Sequence, residues 1–195
     1  FYNHPSFLEV FVENVRHALN EIPEDVRAEA EIVYTAHSIP VSMAKTSRYV
    51  EQLEDAAQLV NTALGRGRGK LVYQSRSGPL SQPWLDPDIC AYLRELHASG
   101  RTHDVVIVPI GFFSDHLEVL YDLDTEARSL CEQLGLRMQR AATPGVHPKL
   151  VGMVRELILE RTEGTPFRRA LGNAGPCPDV CSDTCCPRPV RPVNG

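Results

Sequence analysis

One strand pattern constrains the fold of this chain more than any other feature. The run Val105-Val106-Ile107-Val108 is apolar and β-branched throughout, with no polar residue alternating between the apolar ones. A strand of this kind is covered on both of its faces, as in a parallel sheet that carries helices on either side. The run therefore predicts that residues 104–110 form a central strand of an α/β domain.

Helical and strand-like segments alternate around this central strand. The apolar spacing predicts helices over 6–22, 47–64, 88–98, 115–134 and 147–161, and further strands over 31–35, 70–75 and 137–141. Such alternation with short connections implies an open, doubly wound, mainly parallel sheet with helices on both faces. The composition shifts to Pro, Gly, Cys and Arg near the end. We therefore expect an α/β domain over 1–163 and an irregular Cys/Pro-rich tail over 164–195.

The composition excludes several classes of partner. Of the 195 residues, 43% are apolar, which suffices for the core of one domain, and the net charge of −5 offers no basic surface for nucleic acid. No apolar stretch reaches the roughly 18 residues of a spanning helix, and no secretory signal is visible. We therefore expect a cytoplasmic protein without a transmembrane segment. A first residue of Phe1 instead of Met favours a fragment of a longer protein.

Ionisable residues follow the ends of several predicted strands. His37 lies just beyond the first strand, a loop follows Gln74, and the segment from Asp115 to Glu118 follows the central strand. Ligands of doubly wound sheets bind outside the carboxyl ends of the strands. Imidazole and carboxylate groups from separate strand ends suit a borderline divalent ion such as Fe²⁺. The sequence thus predicts a metal-handling site at this edge.

Each acidic residue of that segment also has a structural interpretation. Asp115 and Glu118 are spaced as in a capping box, and capping is the better explanation for Asp115 taken alone. Glu118, Asp122 and Glu126 recur every four residues and would line one helical face. Like charges at that spacing cost about 0.2–0.5 kcal/mol per pair. A chain tolerates this repulsion on a solvated face, or where cations or protons pass, and both alternatives stay open.

His37 and the loop around Trp84 are ambiguous in the same way. A single histidine is more often a structural residue than a ligand, and the position of His37 before Pro40 favours function only modestly. The loop with the only tryptophan contains Pro79, Pro83 and Pro87. It is either a rigid turn over the core or an aromatic wall beside a flat apolar ligand.

The six cysteines fall into two groups. Cys90 and Cys131 lie within predicted helices and are expected to be small buried residues. The other four crowd into the tail, at Cys177, Cys181, Cys185 and Cys186. Without a secretory signal, such crowding indicates metal or cluster ligation more than disulfides. A zinc site and a disordered, reactive extension are the alternatives.

Three motifs taken together resemble the ferrochelatases, the enzymes that insert Fe²⁺ into a porphyrin during haem synthesis. They are Thr35-Ala36-His37-Ser38-Ile39-Pro40, the segments 73–79 and 83–85, and the run 109–124 that contains Pro109-Ile110-Gly111-Phe112 and Ser114-Asp115-His116-Leu117-Glu118. The motifs occur in the family's order, and the resemblance covers about residues 1–162. Ferrochelatases build their cleft from two similar α/β domains. The resemblance implies that this chain is the second domain, and that most of the N-terminal domain is missing.

The resemblance also implies residue roles. His37 matches the metal-site histidine of the family and Glu118 its metal-site glutamate, and both are expected to be catalytic. The proton or metal path is expected at His116, Asp122 and Glu126, and the porphyrin cleft at Trp84, Gln74 and Ser38.

The tail resembles those of some ferrochelatases that bind a [2Fe–2S] cluster, so a cluster on the tail cysteines is expected beside Fe²⁺ as a substrate. Such a tail is similar to those of bacterial enzymes that metallate coproporphyrin III, which is the expected porphyrin, with protoporphyrin IX as the alternative. Two other functions remain open. One is a small homodimeric single-domain tetrapyrrole chelatase, and the other is a non-enzymatic iron–sulfur or zinc-binding module.

Overall fold

The structure is a computed structural model that describes residues 1–67, 69–79, 81–164, 167–181, 183 and 185. Its centre is a sheet of four strands, namely β1 (Glu31–His37), β2 (Lys70–Gln74), β3 (Asp104–Val108) and β4 (Arg137–Arg140). The strands lie in the order β2-β1-β3-β4, and every neighbouring pair is parallel. This arrangement confirms the α/β fold class that the alternation predicted.

Helices cover both faces of the sheet. They are α1 (Pro5–Asn20), α2 (Glu24–Arg27), α3 (Val41–Ala44), α4 (Tyr49–Ala63), α5 (Ile89–Ser99), α6 (Leu117–Val119), a π-helix (Leu120–Ala127), α7 (Arg128–Leu134) and α8 (Pro148–Thr162). One core contains residues of α1, α4 and α8, and the other contains residues of α5 and α7. Successive β3 residues alternate between the two cores, because strand side chains point to opposite faces. The four apolar residues of β3 are therefore buried, and Asp104 at its start is buried in an ion pair with Arg137.

The predicted helix over 115–134 differs from the observed one at its start and in its middle. The helix begins at Leu117, and His116 is its N-cap residue without a side-chain capping bond. The capping interpretation of Asp115 is therefore wrong. Its carboxylate instead accepts hydrogen bonds from Arg140 (3.1 and 3.2 Å) and Thr143 (3.0 Å). The middle of the segment is a π-helix, whose i→i+5 pairing is frequent at functional sites.

The tail from residue 167 is irregular, but part of it packs on the domain. The Asn3 side-chain amide donates to the carbonyls of Leu171 (3.2 Å) and Gly175 (2.9 Å), and the Leu171 N–H donates back to the Asn3 carbonyl (2.8 Å). Arg168 binds Asp179 at 2.5 Å. The Asn3 contacts hold the described tail against the start of the chain, while the Arg168–Asp179 pair lies within the tail.

A buried histidine at the start of α1 should make stability depend on pH. His4 is 1% exposed, and its Nδ1 accepts the Ser6 N–H as the helix cap. Burial lowers the His4 pKa, and Arg169 lowers it further, against the opposing effect of Glu156, whose Oε2 lies 3.2 Å from Nε2. The folded state therefore binds this proton less readily than the unfolded state does.

We expect the contribution of His4 to stability to be complete above the unfolded pKa of about 6.5 and to be lost as the pH falls through the lower folded pKa. His4→Asn keeps a neutral capping side chain. Urea unfolding of both proteins across this range measures the difference, and the free energy of unfolding of the variant should fall less steeply towards acid. Parallel curves would contradict the assignment.

Candidate active site

The chain reverses its direction of travel across the sheet between β1 and β3. From β1 it moves outward to β2, and from β3 it moves outward to β4 on the other side. A crevice forms at such a point, outside the carboxyl ends of the two strands. His37 is the last residue of β1, and the loop after β3 carries the chain to Glu118. The predicted meeting of these motifs at one edge is present in the structure.

Gly111 allows the loop after β3 to lie directly on the end of β1. Its N–H donates to the Thr35 carbonyl at 3.1 Å. A Cβ at this position would lie 2.7 Å from the Ala36 Cβ and 2.9 Å from the Ala36 Cα. Only a residue without a side chain fits this approach, which brings the start of α6 beside the end of β1.

His37 and Glu118 face each other across the crevice. The His37 Nε2 lies 3.8 Å from the Glu118 Oε1, and the two side chains are 33% and 53% exposed. The His116 Nδ1 lies 4.0 Å from the other Glu118 oxygen. Bonds from a metal ion to nitrogen and oxygen are each about 2 Å long, so an ion between Nε2 and Oε1 is compatible with their separation. Both side chains are therefore accessible to solvent and to a substrate.

Hydrogen bonds determine which His37 nitrogen is available for chemistry. The Nδ1 lies 2.5 Å from the Ser38 carbonyl oxygen, which can only accept, so Nδ1 carries the proton. This leaves the lone pair of a neutral ring on Nε2, on the side of Glu118. The Tyr49 hydroxyl donates to the His37 carbonyl at 2.9 Å and fixes the backbone there.

The pair does not form a complete protein metal site. Within the described ranges, no three His, Cys, Asp or Glu side chains converge closely enough to hold a metal ion. A cation at His37 and Glu118 would thus take its remaining ligands from water or from a substrate.

The two acidic residues beyond Glu118 lead away from the crevice. Asp122 is partly buried, and its Oδ2 accepts from the Ser75 hydroxyl and from the Gln74 amide at 3.4 Å. Asp122 and the exposed Glu126 both line a cavity of about 520 Å³, which also includes residues of α5 and α7. The three carboxylates thus reach from the crevice to this cavity. Their role as a path stays a prediction.

The three residues predicted for the porphyrin cleft lie in or beside the loop after β2. Ser38 is 2% exposed and donates to the Leu85 carbonyl at 2.9 Å, and Gln74 is 1% exposed. The Trp84 indole lies on Gly78, where a Cβ would be 2.3 Å from its Nε1. These contacts pack the described part of the loop against the end of β1, and contact of the three residues with a porphyrin stays a prediction.

Exposed apolar side chains beside Glu118 were missed in the sequence. Leu117 is 79% exposed, Leu120 43% and Tyr121 53%. Their spacing in the sequence is typical of a helix face that packs on a core. Only the structure shows that these side chains are exposed instead. Exposed apolar surface of this kind marks a ligand or a protein interface.

The described tail cysteines do not converge on one point. The Cys181 pKa is raised, chiefly by its hydrogen bond with Cys185, so these two thiols lie together. Cys177 is partly buried and packs against the core, while Cys186 lies outside the described residues. Cys131 is buried and Cys90 half-buried, and burial raises their pKa values to about 12 and about 11. These two agree with small structural residues.

Comparison with known sequences decides the family. The sequence profile of ferrochelatase matches residues 1–162. The chain belongs to the ferrochelatase family. The ferrochelatase match covers both the His37 and the Glu118 motifs and ends before the tail. It confirms the resemblance that the three motifs indicated.

Several ferrochelatases are close in sequence. That of Rhodopirellula baltica is 44% identical over 185 residues, covering 95% of this chain and 52% of the relative. A coproporphyrin III ferrochelatase of Streptomyces griseus is 45% identical over 206 residues (96% and 55%). A coproporphyrin III ferrochelatase of Streptomyces coelicolor is 45% identical over 215 residues (99% and 56%). The chain thus spans about half the length of the curated relatives it matches. In the described part of the chain, no helix is long and apolar enough to cross a membrane.

Proposed function

We propose that this chain is the second, metal-handling domain of a ferrochelatase that inserts Fe²⁺ into a porphyrin in haem biosynthesis. The observation that carries the proposal is the His37–Glu118 pair, 3.8 Å apart at the crevice between β1 and β3. The other half of the family's polypeptide would supply the opposite wall of the cleft. Coproporphyrin III is the proposed porphyrin, because two of the relatives above carry that name. Protoporphyrin IX is the alternative.

The mechanism follows from what metallation requires. The porphyrin loses two pyrrole protons, Fe²⁺ loses its waters, and the products are the iron porphyrin and two protons. A planar macrocycle hides its nitrogens, so binding that bends it is productive, at a cost of about 1–5 kcal/mol. In this proposal Glu118 holds the ion beside the macrocycle while His37 accepts a pyrrole proton.

The hydrogen bonds of His37 suit it to the role of base. Its Nδ1 is bound to the Ser38 carbonyl, so Nε2 carries the lone pair of the neutral ring and lies on the side of Glu118. When Nε2 gains a proton, the ring becomes positive, and the bond from Nδ1 to the Ser38 carbonyl becomes charge-assisted and stronger. Asp122 and Glu126 then carry protons or ions between the crevice and solvent.

The test is an anaerobic insertion assay with the complete protein. Coproporphyrin III and protoporphyrin IX are supplied separately with Fe²⁺, and the loss of porphyrin fluorescence is followed. We expect insertion into coproporphyrin III at the higher kcat/KM. A preference for protoporphyrin IX would overturn the choice of coproporphyrin III as the substrate. Failure to insert iron into either porphyrin would overturn the proposed function. We also propose a cytoplasmic location, which cell fractionation would test.

A [2Fe–2S] cluster on the tail is the finer part of the proposal. Such a cluster takes four thiolates. The described thiols do not provide them, because only Cys181 and Cys185 lie together. The cluster therefore requires further ligands, from Cys186, from a rearranged Cys177, or from the remaining half of the protein.

If the cluster forms, the complete protein purified without oxygen will be brown and contain iron and acid-labile sulfide in equal amounts. Cys181→Ser will bleach the colour because it removes a ligand. Cys90→Ser and Cys131→Ser are matched controls that will not, since both thiols lie in the α/β domain. Absorbance and metal analysis measure the result. A colourless protein with stoichiometric zinc would favour a structural zinc site instead.

A further inference from the structure

Gln74 lies directly beneath the candidate active site. It is the last residue of β2, and it pairs in register with His37 at the end of β1. Its side chain is buried, with 1% of the residue exposed. A group so placed lies in the strand layer that carries His37 and exposes almost no surface to a ligand in the crevice.

The Gln74 amide contacts the segment that carries Glu118. Its Nε2 lies 3.5 Å from the Glu118 carbonyl oxygen and 3.4 Å from the Asp122 Oδ2. The next residue supports the same carboxylate, because the Ser75 hydroxyl also donates to Asp122 Oδ2. Gln74 and Ser75 thus contact the helical segment at two points one turn apart, Glu118 and Asp122.

Two features indicate that packing alone does not explain this arrangement. Among the described residues, the buried Oε1 of Gln74 has no hydrogen-bond partner, which is costly for a polar atom. Ser75 has a φ of 61°, in the left-handed region that non-glycine residues rarely adopt. Strained positions of this kind cluster at functional sites. An apolar side chain would fill the same space without leaving an oxygen unpaired. The NH₂ group of the amide, which is the donor, is therefore the reason for a glutamine at this position.

We infer that Gln74 is a positioning residue of the metal site. Its amide ties the backbone of Glu118 to the strand layer of His37, and this sets the distance between the two reactive side chains. It also holds the Asp122 carboxylate in one orientation, one turn further along. The inference rests on the proposed function, because it concerns the same pair.

The test compares Gln74→Met with the wild type in the complete protein, in the insertion assay described above. Methionine has a similar length and no donor, so we expect kcat to fall about 10- to 100-fold, as for other residues that orient a metal ligand. The porphyrin KM should stay within about twofold if Gln74 only positions Glu118, whereas a raised KM with an unchanged kcat would indicate porphyrin contact instead. The melting temperature should not fall, because an unpaired buried oxygen is removed as well.

Gln139→Met is the control, since Gln139 is a half-buried residue of β4 that lines a separate cavity beside α1, and it should keep wild-type kinetics. Gln74→Glu retains the size and polarity of the side chain but replaces the donor with an acceptor, and it should lose kcat as well. An unchanged kcat in both Gln74 variants would overturn the inference while leaving the proposed function intact. A fall in kcat that is explained by an equal loss of folded protein, seen as a lower melting temperature, would also overturn it. A wild type that inserts no metal would overturn the proposed function and this inference with it.

Discussion

His37→Ala and Glu118→Ala should each lower the rate of iron insertion by about 100- to 10,000-fold, the range that general acid–base groups contribute. His37→Ala removes the Nε2 that is the proton acceptor in the proposed mechanism, and Glu118→Ala removes the carboxylate that faces it at 3.8 Å. Both side chains are substantially exposed, so neither substitution opens a cavity in the core. The fold should therefore be retained, with unchanged circular dichroism and a similar melting temperature.

Two exposed residues of α5 provide matched controls for these variants. His97→Ala and Glu95→Ala remove the same side-chain types from a surface away from the crevice, and both should insert iron at the wild-type rate. Asp122→Asn should do less harm than Glu118→Ala, because the amide oxygen still accepts from Ser75 and a path tolerates substitution better than a ligand does. Turnover like that of the wild type in His37→Ala or Glu118→Ala would refute the assignment.

Gly111→Ala should both destabilise the protein and slow iron insertion. The added methyl group would lie 2.7 Å from the Ala36 Cβ and 2.9 Å from its Cα, and Ala36 is fully buried. Relief requires the loop to move off β1, which stretches the bond from the Gly111 N–H to the Thr35 carbonyl. Overpacking of this kind costs about 1–3 kcal/mol. The same movement would separate Glu118 from His37.

Urea denaturation measures the first effect and the insertion assay measures the second. Gly152→Ala is the control, because a Cβ there meets nothing within 4 Å. It lies inside α8, where alanine is favoured over glycine by about 1 kcal/mol, so that variant should be as stable as the wild type or more stable. A Gly111→Ala protein with the stability of the wild type would show that the close approach is not required.

The layout of the site could be predicted from the sequence because it follows from topology. The apolar run at Val105–Val108 requires cover on both faces, and the alternation of segments requires a parallel sheet. Parallel strands bring their carboxyl ends to one edge, so His37 and the residues after β3 had to lie near each other. No side-chain contact needed to be known for this step.

The details of the helical segment after β3 depend on contacts with distant residues. Arg140 of β4 binds Asp115 before the helix and Asp124 within it, at 2.7 Å from Nε to the latter. This removes Asp115 from the capping role that its spacing favoured. The spacing of apolar residues predicts a helix but not its hydrogen-bond pattern. It therefore did not distinguish a π-helix from an α-helix over Leu120–Ala127.

Sequence by itself determined the class of fold, the edge of the sheet that carries the chemistry, and the family, because these depend on local periodicity and on short motifs. The tertiary structure alone decided that the Gln74 amide contacts the Glu118 carbonyl, that Leu117 and Tyr121 are exposed, and that the tail packs on Asn3. Each of these involves residues far apart in the chain or the exposure of a single side chain. Such properties exist only after the chain has folded, when burial and hydrogen bonds between distant segments select one arrangement.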